Sequence, residues 1–155
     1  EADCVVIAGM GGELIIHILE EGRDLWETIG YWVLSPQSEL DKVRRFLEKE
    51  SFSIVRETMM KEDGKYYTVM GVTRDGISWD YTSEPHYLYG GRLIRQKSPV
   101  LAEFLKKEQE QLEQILDTLK DSDTPAAFKR RGEMEAMLAW NKEAQDEMLG
   151  TDTEA

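Results

Sequence analysis

The residues best placed to do chemistry are Ala8, Gly9, Met10, Gly11 and Gly12, which follow directly on the run Asp3-Cys4-Val5-Val6-Ile7. Leu14, Ile15, Ile16, Ile18 and Leu19 continue at helical spacing, so the pattern predicts a buried parallel strand, a glycine turn and a helix N-terminus. Such a turn lets backbone N–H groups approach a ligand closely, because three of the four residues Gly9–Gly12 carry no side chain. A tight strand-to-helix turn that binds nothing fits the same residues. The motif lacks the full dinucleotide fingerprint and the Lys-Ser/Thr of a P-loop. Two further turns belong with it. Ser35-Pro36-Gln37 closes the short strand Tyr31-Trp32-Val33-Leu34, and Gly64-Lys65-Tyr66 lies between two alternating stretches. In an open α/β sheet, ligands bind beyond the C-terminal ends of the parallel strands. If the strand at Phe52–Met59 runs parallel to its predecessors, all three turns share that face. Together they offer backbone amides and carbonyls, a rigid Pro, a Lys and a Tyr, a setting suited to a flat polar ligand such as a purine.

Little else in the chain resembles catalytic machinery. No Ser-His-Asp order is evident, and no Cys-His pair has a supporting context. No metal set is expected, since Cys4 has no second Cys and reads as a small core residue. His17 has no partner His one helical turn on and reads as structural; the other His is His86. Any reaction here must need positioning more than a strong nucleophile. Methyl transfer from a sulfonium donor meets that description, because the donor is already activated and orientation supplies much of the rate. Basic residues gather locally at Arg92, Arg95 and Lys97, at Lys42, Arg44 and Arg45, and at Lys129-Arg130-Arg131. Each cluster alone reads as solvated surface; together they could mark a phosphate-contacting track.

The elements that must position these groups follow from periodicity. The 155 residues, 41% hydrophobic, suit one α/β domain plus an appendage. A net charge of −12 argues against a general nucleic-acid coat protein but leaves room for a local basic site. No apolar run approaches the roughly 18 residues that span a bilayer. Glu1 and Asp3 precede a strand rather than form a basic leader, so a cytoplasmic protein is expected. The abrupt start on a core strand suggests a piece of a longer protein. Two β-α units, with helices from Glu13 to about Leu25 and from about Glu39 to Glu50 behind a Ser38 cap, imply a parallel sheet. Phe52–Met59 and Tyr66–Val72 predict an antiparallel hairpin. Residues 73–97 read as an irregular connector long enough to suspect a function. Ser98 and Pro99 then open a helix striped by Leu101, Leu105, Leu112, Ile115, Leu116 and Leu119. A second helix from about Pro125 to Leu149 predicts an antiparallel coiled-coil hairpin, and 150–155 reads as a frayed tail.

Taken together, Ile7-Ala8-Gly9-Met10-Gly11-Gly12, Leu34-Ser35-Pro36, Gly64-Lys65-Tyr66-Tyr67 and Tyr89-Gly90 leading to Ser98-Pro99-Val100 carry a resemblance across nearly the whole chain. The chain resembles the bacterial tRNA adenine-N1 methyltransferases that act on adenine 22. The resemblance implies the C-terminal part of a Rossmann-like class I methyltransferase sheet over 1–97, ending in the antiparallel hairpin, and a coiled-coil domain over 98–149. It implies S-adenosylmethionine as donor and tRNA as acceptor. It places Ala8, Gly9, Met10, Gly11 and Gly12 beside the target base, where amino-methyltransferases keep an Asn/Asp-Pro-Pro-Tyr loop. The base would be drawn from its stack and its neutral N1 would attack the methyl carbon in line. Ser35, Pro36, Gln37, Lys65, Tyr66, Arg92, Arg95 and Lys97 become candidate substrate contacts. Where this chain has Ser35 and Gln37 the family usually has Gln and Asn, and where it has Gly90-Gly91 the family tends to Gly-Pro. The family's methionine-binding loop and ribose-gripping acid would lie upstream of Asp3, so this chain alone is expected not to hold the donor. The strand edge at residues 3–8 is expected to be covered, a second copy being one candidate. Two other classes fit the residues: an interaction module using the Ser98–Leu149 hairpin, and an enzyme acting on a different nucleotide.

Overall fold

The computed structural model describes residues 3–74, 76 and 81–150. The β-branched run forms β1 (Cys4–Met10), and the glycines release the chain into α1 (Gly12–Glu21). After a 3-10 turn at Arg23–Leu25 come β2 (Tyr31–Pro36) and α2 (Leu40–Lys49). β1 and β2 pair in parallel from Cys4 opposite Tyr31 to Ala8 opposite Ser35. The hairpin strands β3 (Ser53–Glu62) and β4 (Lys65–Thr73) complete a sheet of order β1-β2-β4-β3. β4 is antiparallel to both neighbours, so β3 points the same way as β1 and β2. The Asp63-Gly64 turn therefore lies on the same side as the first two turns. Both of its residues have positive φ, 51° and 77°, as a two-residue hairpin turn requires.

The sheet buries one apolar layer against α1 and α2. Ile15, Leu34, Val43, Leu47, Met70 and Val72 are at most 1% exposed, and Trp26, Trp32 and Phe52 close the layer edge to face. The Trp26 indole donates to the Leu19 carbonyl at 2.9 Å, which satisfies its buried N–H. A second core joins the C-terminal elements: a π-helical turn at His86–Gly90, α3 (Gly91–Arg95), α4 (Pro99–Leu119) and α5 (Pro125–Gly150). It contains Tyr89, Leu93, Ile94, Leu101, Leu105, Ala144 and Met148. α4 and α5 run antiparallel, with Asn141 opposite Leu105 and Glu108, and Arg131 opposite Leu119 and Ser122.

Several expectations change in detail. The first helix stops at Glu21, because Gly22 caps it and the 3-10 turn follows. Ser38 does not cap α2: Glu39 occupies the cap in a left-handed conformation, φ 52°, and the Ser38 hydroxyl donates to its carboxylate. Ser98 does cap α4, accepting from the Leu101 N–H at 3.2 Å. Cys4 is exposed rather than core, because it alternates with Val5 and Ile7 and shares with Val6 and Ala8 the face of β1 that turns away from the core. His17 also faces outward, 3.6 Å from Glu21 on the same helix. The connector is partly helical, and positions 75 and 77–80 within it lie outside the described residues. Of the expected tail, Gly150 is the last residue of α5 and 151–155 lie outside the described residues. No helix among the described residues is long and apolar enough to cross a membrane.

Candidate active site

The strand does not end at Gly9 but bulges there. Ala8 faces Ser35 and Met10 faces Pro36, so one extra residue is accommodated, and Gly9 takes φ +78°. A Cβ on Gly9 would meet nothing within 4 Å, so conformation and not crowding calls for glycine there. Gly12 is the opposite case. A Cβ on it would lie 2.6 Å from the Ser38 carbonyl and 2.7 Å from that of Glu39, so only glycine lets α1 start against the entry to α2. Two hydrogen bonds lock these turns into one unit: Gly12 N–H to Ser38 O at 3.0 Å, and Gln37 N–H to Met10 O at 2.9 Å. The amides of Gly12 and Gln37 are thus committed internally. The surface a ligand can reach is the exposed backbone of Ala8 and Gly9 and half-buried Met10.

The hairpin brings the third group. Tyr66 sits on β4, and its hydroxyl donates to Glu103 on α4 at 3.0 Å. Lys61 pairs with the same carboxylate, and the Tyr66 ring meets Phe104 edge on at 5.2 Å. Partial desolvation, and then the bond to Glu103, push the Tyr66 phenol above its usual range. The Lys61 ammonium, followed by the Tyr66 hydroxyl, holds Glu103 below the usual carboxylate range. A cavity of about 210 Å³ opens beside this junction. Pro36 and Gln37 line it from the second turn, Met59, Tyr66 and Thr68 from the hairpin, and Tyr89, Leu101 and Phe104 from the helical side. Of the sequence candidates, Pro36, Gln37 and Tyr66 come together there. Ala8–Gly12 form a separate wall joined to it through Gln37. Ser35 turns its hydroxyl to the Thr68 carbonyl at 3.1 Å, tying β2 to β4, and Lys65 stands exposed at the hairpin tip.

The basic clusters divide. Arg92 donates to the Ile54 carbonyl at 3.4 Å, Arg95 is exposed, and Lys97 terminates α3 with φ 52°. The α2 cluster is no phosphate track. Lys42 pairs with Glu13, Arg45 pairs with Glu84 and covers the Tyr87 ring at 4.1 Å, and Arg44 is 1% exposed. Arg131 is likewise occupied, capping the end of α4 through the carbonyls of Leu119 and Ser122.

Arg44 belongs instead to a buried lock that forms part of the cavity wall. Its Nε donates to Glu57 Oε1 at 3.0 Å, and its Nη1 donates to the carbonyls of Tyr87 at 2.6 Å and Leu88 at 3.0 Å. Glu57 is 3% exposed. Gly90 presses against it with φ +95°, and a Cβ there would lie 2.7 Å from Glu57 Oε1. Alternation along β3 does not place Glu57 inward, because a bulge between Ile54 and Arg56 shifts the register. Ile54 faces Val72 and Glu57 faces Met70, so both fall on the core side. Two more polar ties hold the helical region. The Thr82 N–H donates to His86 Nδ1 at 3.3 Å, which leaves the proton on Nε2, aimed at the Glu147 carboxylate at 2.8 Å. Asn141 donates to Leu105 O and to Glu108, whose carboxylate also accepts from Tyr89 at 2.6 Å.

Parallel strands with turns at their C-terminal ends, a closing antiparallel hairpin and a helical extension define an α/β domain of the Rossmann-like class. A Streptococcus agalactiae protein of the NADB-Rossmann superfamily superposes with a TM-score of 0.77 at 25% identity, over 92% of this chain and 59% of its own. The family profile for tRNA (adenine(22)-N(1))-methyltransferase matches residues 1–143, and the chain belongs to that family. It is 36% identical over 116 residues to the tRNA (adenine(22)-N(1))-methyltransferase of Bacillus subtilis, covering 73% of this chain and 48% of that protein. A Streptococcus pneumoniae relative in complex with S-adenosyl-L-methionine has a TM-score of 0.74 at 30% identity, over 92% of this chain and 59% of its own. The chain thus spans about half the length of the B. subtilis relative.

Proposed function

We propose that the protein containing this chain transfers a methyl group from S-adenosylmethionine to N1 of an adenine in tRNA, and that these residues build the acceptor side of its site. The family match over residues 1–143 carries this reading. When bound, the sulfonium donor supplies a methyl group already activated for transfer, so the task left to the protein is positioning. N1 of adenine carries a lone pair and no proton at neutral pH, so the acceptor needs no general base. The open backbone at Ala8 and Gly9 suits the close approach of a planar base edge, with Met10 beneath and with Gly11 and Gly12 fixing the turn against α2. Ser35, Pro36 and Gln37 shape the adjoining wall. Lys65, Arg95 and Lys97 are the phosphate contacts in this reading, Tyr66 docks the hairpin on α4, and Arg92 ties α3 to β3 through the Ile54 carbonyl.

The residues fit only one side of a donor site. The amides of Gly12 and Gln37, which a ligand at the helix N-terminus would need, are already bonded within the protein. We infer that the donor-binding loop lies in the part of the family outside this match, so this chain alone does not hold S-adenosylmethionine with useful affinity. tRNA as substrate places the work in the cytoplasm. The β1 edge at residues 3–8, which among the described residues has no strand beyond it, is a place for self-association or for another strand of the whole protein. A partner-binding role for the helical hairpin has less support. Its large exposed apolar residues, Phe128 and Leu149, sit near opposite ends of α5, about 30 Å apart at the helical rise, and form no stripe.

The test is methylation of an unmodified tRNA transcript by the whole protein, read as 1-methyladenosine after digestion. We expect that product, and a loss of at least tenfold with Gly9→Ala at unchanged tRNA affinity. Transfer to another atom would overturn the reading. Calorimetric binding of S-adenosylmethionine by this chain alone would overturn the division of the donor site.

A further inference from the structure

The cavity between the second turn, the hairpin and α4 is not needed to hold the methylated base in the reading above, yet it is built of groups that suit a base. We propose that it receives a second, unstacked nucleobase of the RNA, a neighbour of the one methylated; this rests on the tRNA reading. At about 210 Å³ it is too small for a whole nucleotide-sized ligand and matches a single flat ring system. Tyr66 and Phe104 meet at 77°, so they form a corner in which one ring offers its face where the other offers its edge. Met59 and Leu101 close the apolar walls. Gln37 stands at the mouth, exposed, and its side-chain amide carries both a donor and acceptors, the complement a base edge requires.

Continuity with the glycine turn, and a cation beside the ring, favour RNA as the source of that ring. Gln37 lines the cavity while its own N–H holds the Met10 carbonyl of the glycine turn, so two successive bases would lie on one rigid strip of backbone. The ammonium groups of Lys61 and Lys107 lie 5.5 and 5.7 Å from the Tyr66 ring centroid, and Lys65 precedes that residue. Glu103 neutralises one of these charges, and Glu62 and Asp63 share the hairpin tip. Lys107, whose ammonium is not taken up by Glu103, is therefore the cation placed to meet a phosphate beside the inserted base. The helical hairpin gains a direct role, because Phe104 and Leu101 come from α4.

The test uses the whole protein and tRNA transcripts carrying 2-aminopurine, one unpaired position at a time, around the target adenine. One position is expected to lose its fluorescence on binding. Phe104→Leu, which keeps an apolar side chain but removes the stacking face, is expected to restore that fluorescence and weaken binding about tenfold. Gln37→Ala, at an exposed position that leaves the fold intact, is expected to change which base is tolerated there. Unchanged affinity and quenching in both variants, with methylation intact, would overturn the subsite and leave the methyl-transfer reading standing. Failure of the unaltered protein to bind tRNA would overturn both.

Discussion

The two halves of the candidate site are held by different physics. At the glycine turn the structure is fixed by backbone: two amide–carbonyl bonds and a helix start so close to its neighbour that a Cβ at Gly12 would lie 2.6 Å from a carbonyl oxygen. On the helical side the structure is fixed by buried side chains: Arg44 with Glu57, His86 with Glu147, and Asn141 with Glu108 and Tyr89. The first arrangement contains no titratable group and no long side chain to order. The second orders long side chains and buries charge, which is costly unless every group keeps its partner. Rigidity at the turn is therefore cheap, whereas the position of α3 and α4 depends on a few pairs that a single substitution can break. A base held at Ala8–Gly9 would meet a fixed wall, and a base held at Tyr66 and Phe104 would meet one that can loosen.

The largest test of that contrast removes one half of the buried pair. Glu57→Ala leaves the Arg44 guanidinium buried beside the Tyr87 and Leu88 carbonyls without its counter-charge, and is expected to cost about 3–5 kcal/mol in urea unfolding. Replacing both partners, as Arg44→Met with Glu57→Leu, is expected to restore most of the loss. If the double variant is no better than the single one, the carbonyl bonds of Arg44 rather than the ion pair hold the π-helical turn.

Two glycine substitutions sharpen the other side. Gly12→Ala forces a methyl group against the Ser38 and Glu39 carbonyls, both backbone, and is expected to cost about 2–3 kcal/mol by overpacking. Gly9→Ala has open space and pays only for its positive φ, about 1–2 kcal/mol. Thermal unfolding of the two variants should therefore rank them in that order, while methylation should rank them in reverse once each is assayed folded. Equal melting temperatures would show that α1 can slide at its start, and that the turn is less rigid than the contrast requires.

What could be read from the sequence divides along the same line. The glycine turn, the Ser98-Pro99 helix start and the β-α order follow from neighbouring residues, where local sterics and hydrogen bonds decide the outcome. The bulge at Gly9 and the left-handed Glu39 shifted details of the turns without moving them. The Arg44–Glu57 lock could not be seen. Its partners lie 13 positions apart on different elements, and the bulge after Ile54 turns inward a residue that plain alternation from Ile54 would point outward. The exposure of Cys4 is hidden for a related reason: a continuous apolar strand reads as buried on both faces, and its own sequence does not say that only the Ile7 face is covered.

The smallest effect is expected where the hairpin docks on α4, because Glu103, Lys61 and Tyr66 are largely solvated there and water screens their interaction. The sign is nevertheless fixed. Lys61, with Tyr66, lowers the folded-state value of Glu103 below its ordinary 4.5, so the folded protein binds that proton less readily than the unfolded chain. The contribution is fully present above pH 4.5 and is lost as the pH falls through the lower folded value. Between pH 6 and about pH 3, the Tyr66 ring resonances should therefore move with a midpoint under 4.5, and Glu103→Gln should abolish that transition while leaving the glycine-turn amides unchanged. If the Gly12 and Gln37 amides titrated together with Tyr66, the two walls of the site would be one cooperative unit. The backbone-fixed wall would then not be independent of the side-chain-fixed wall.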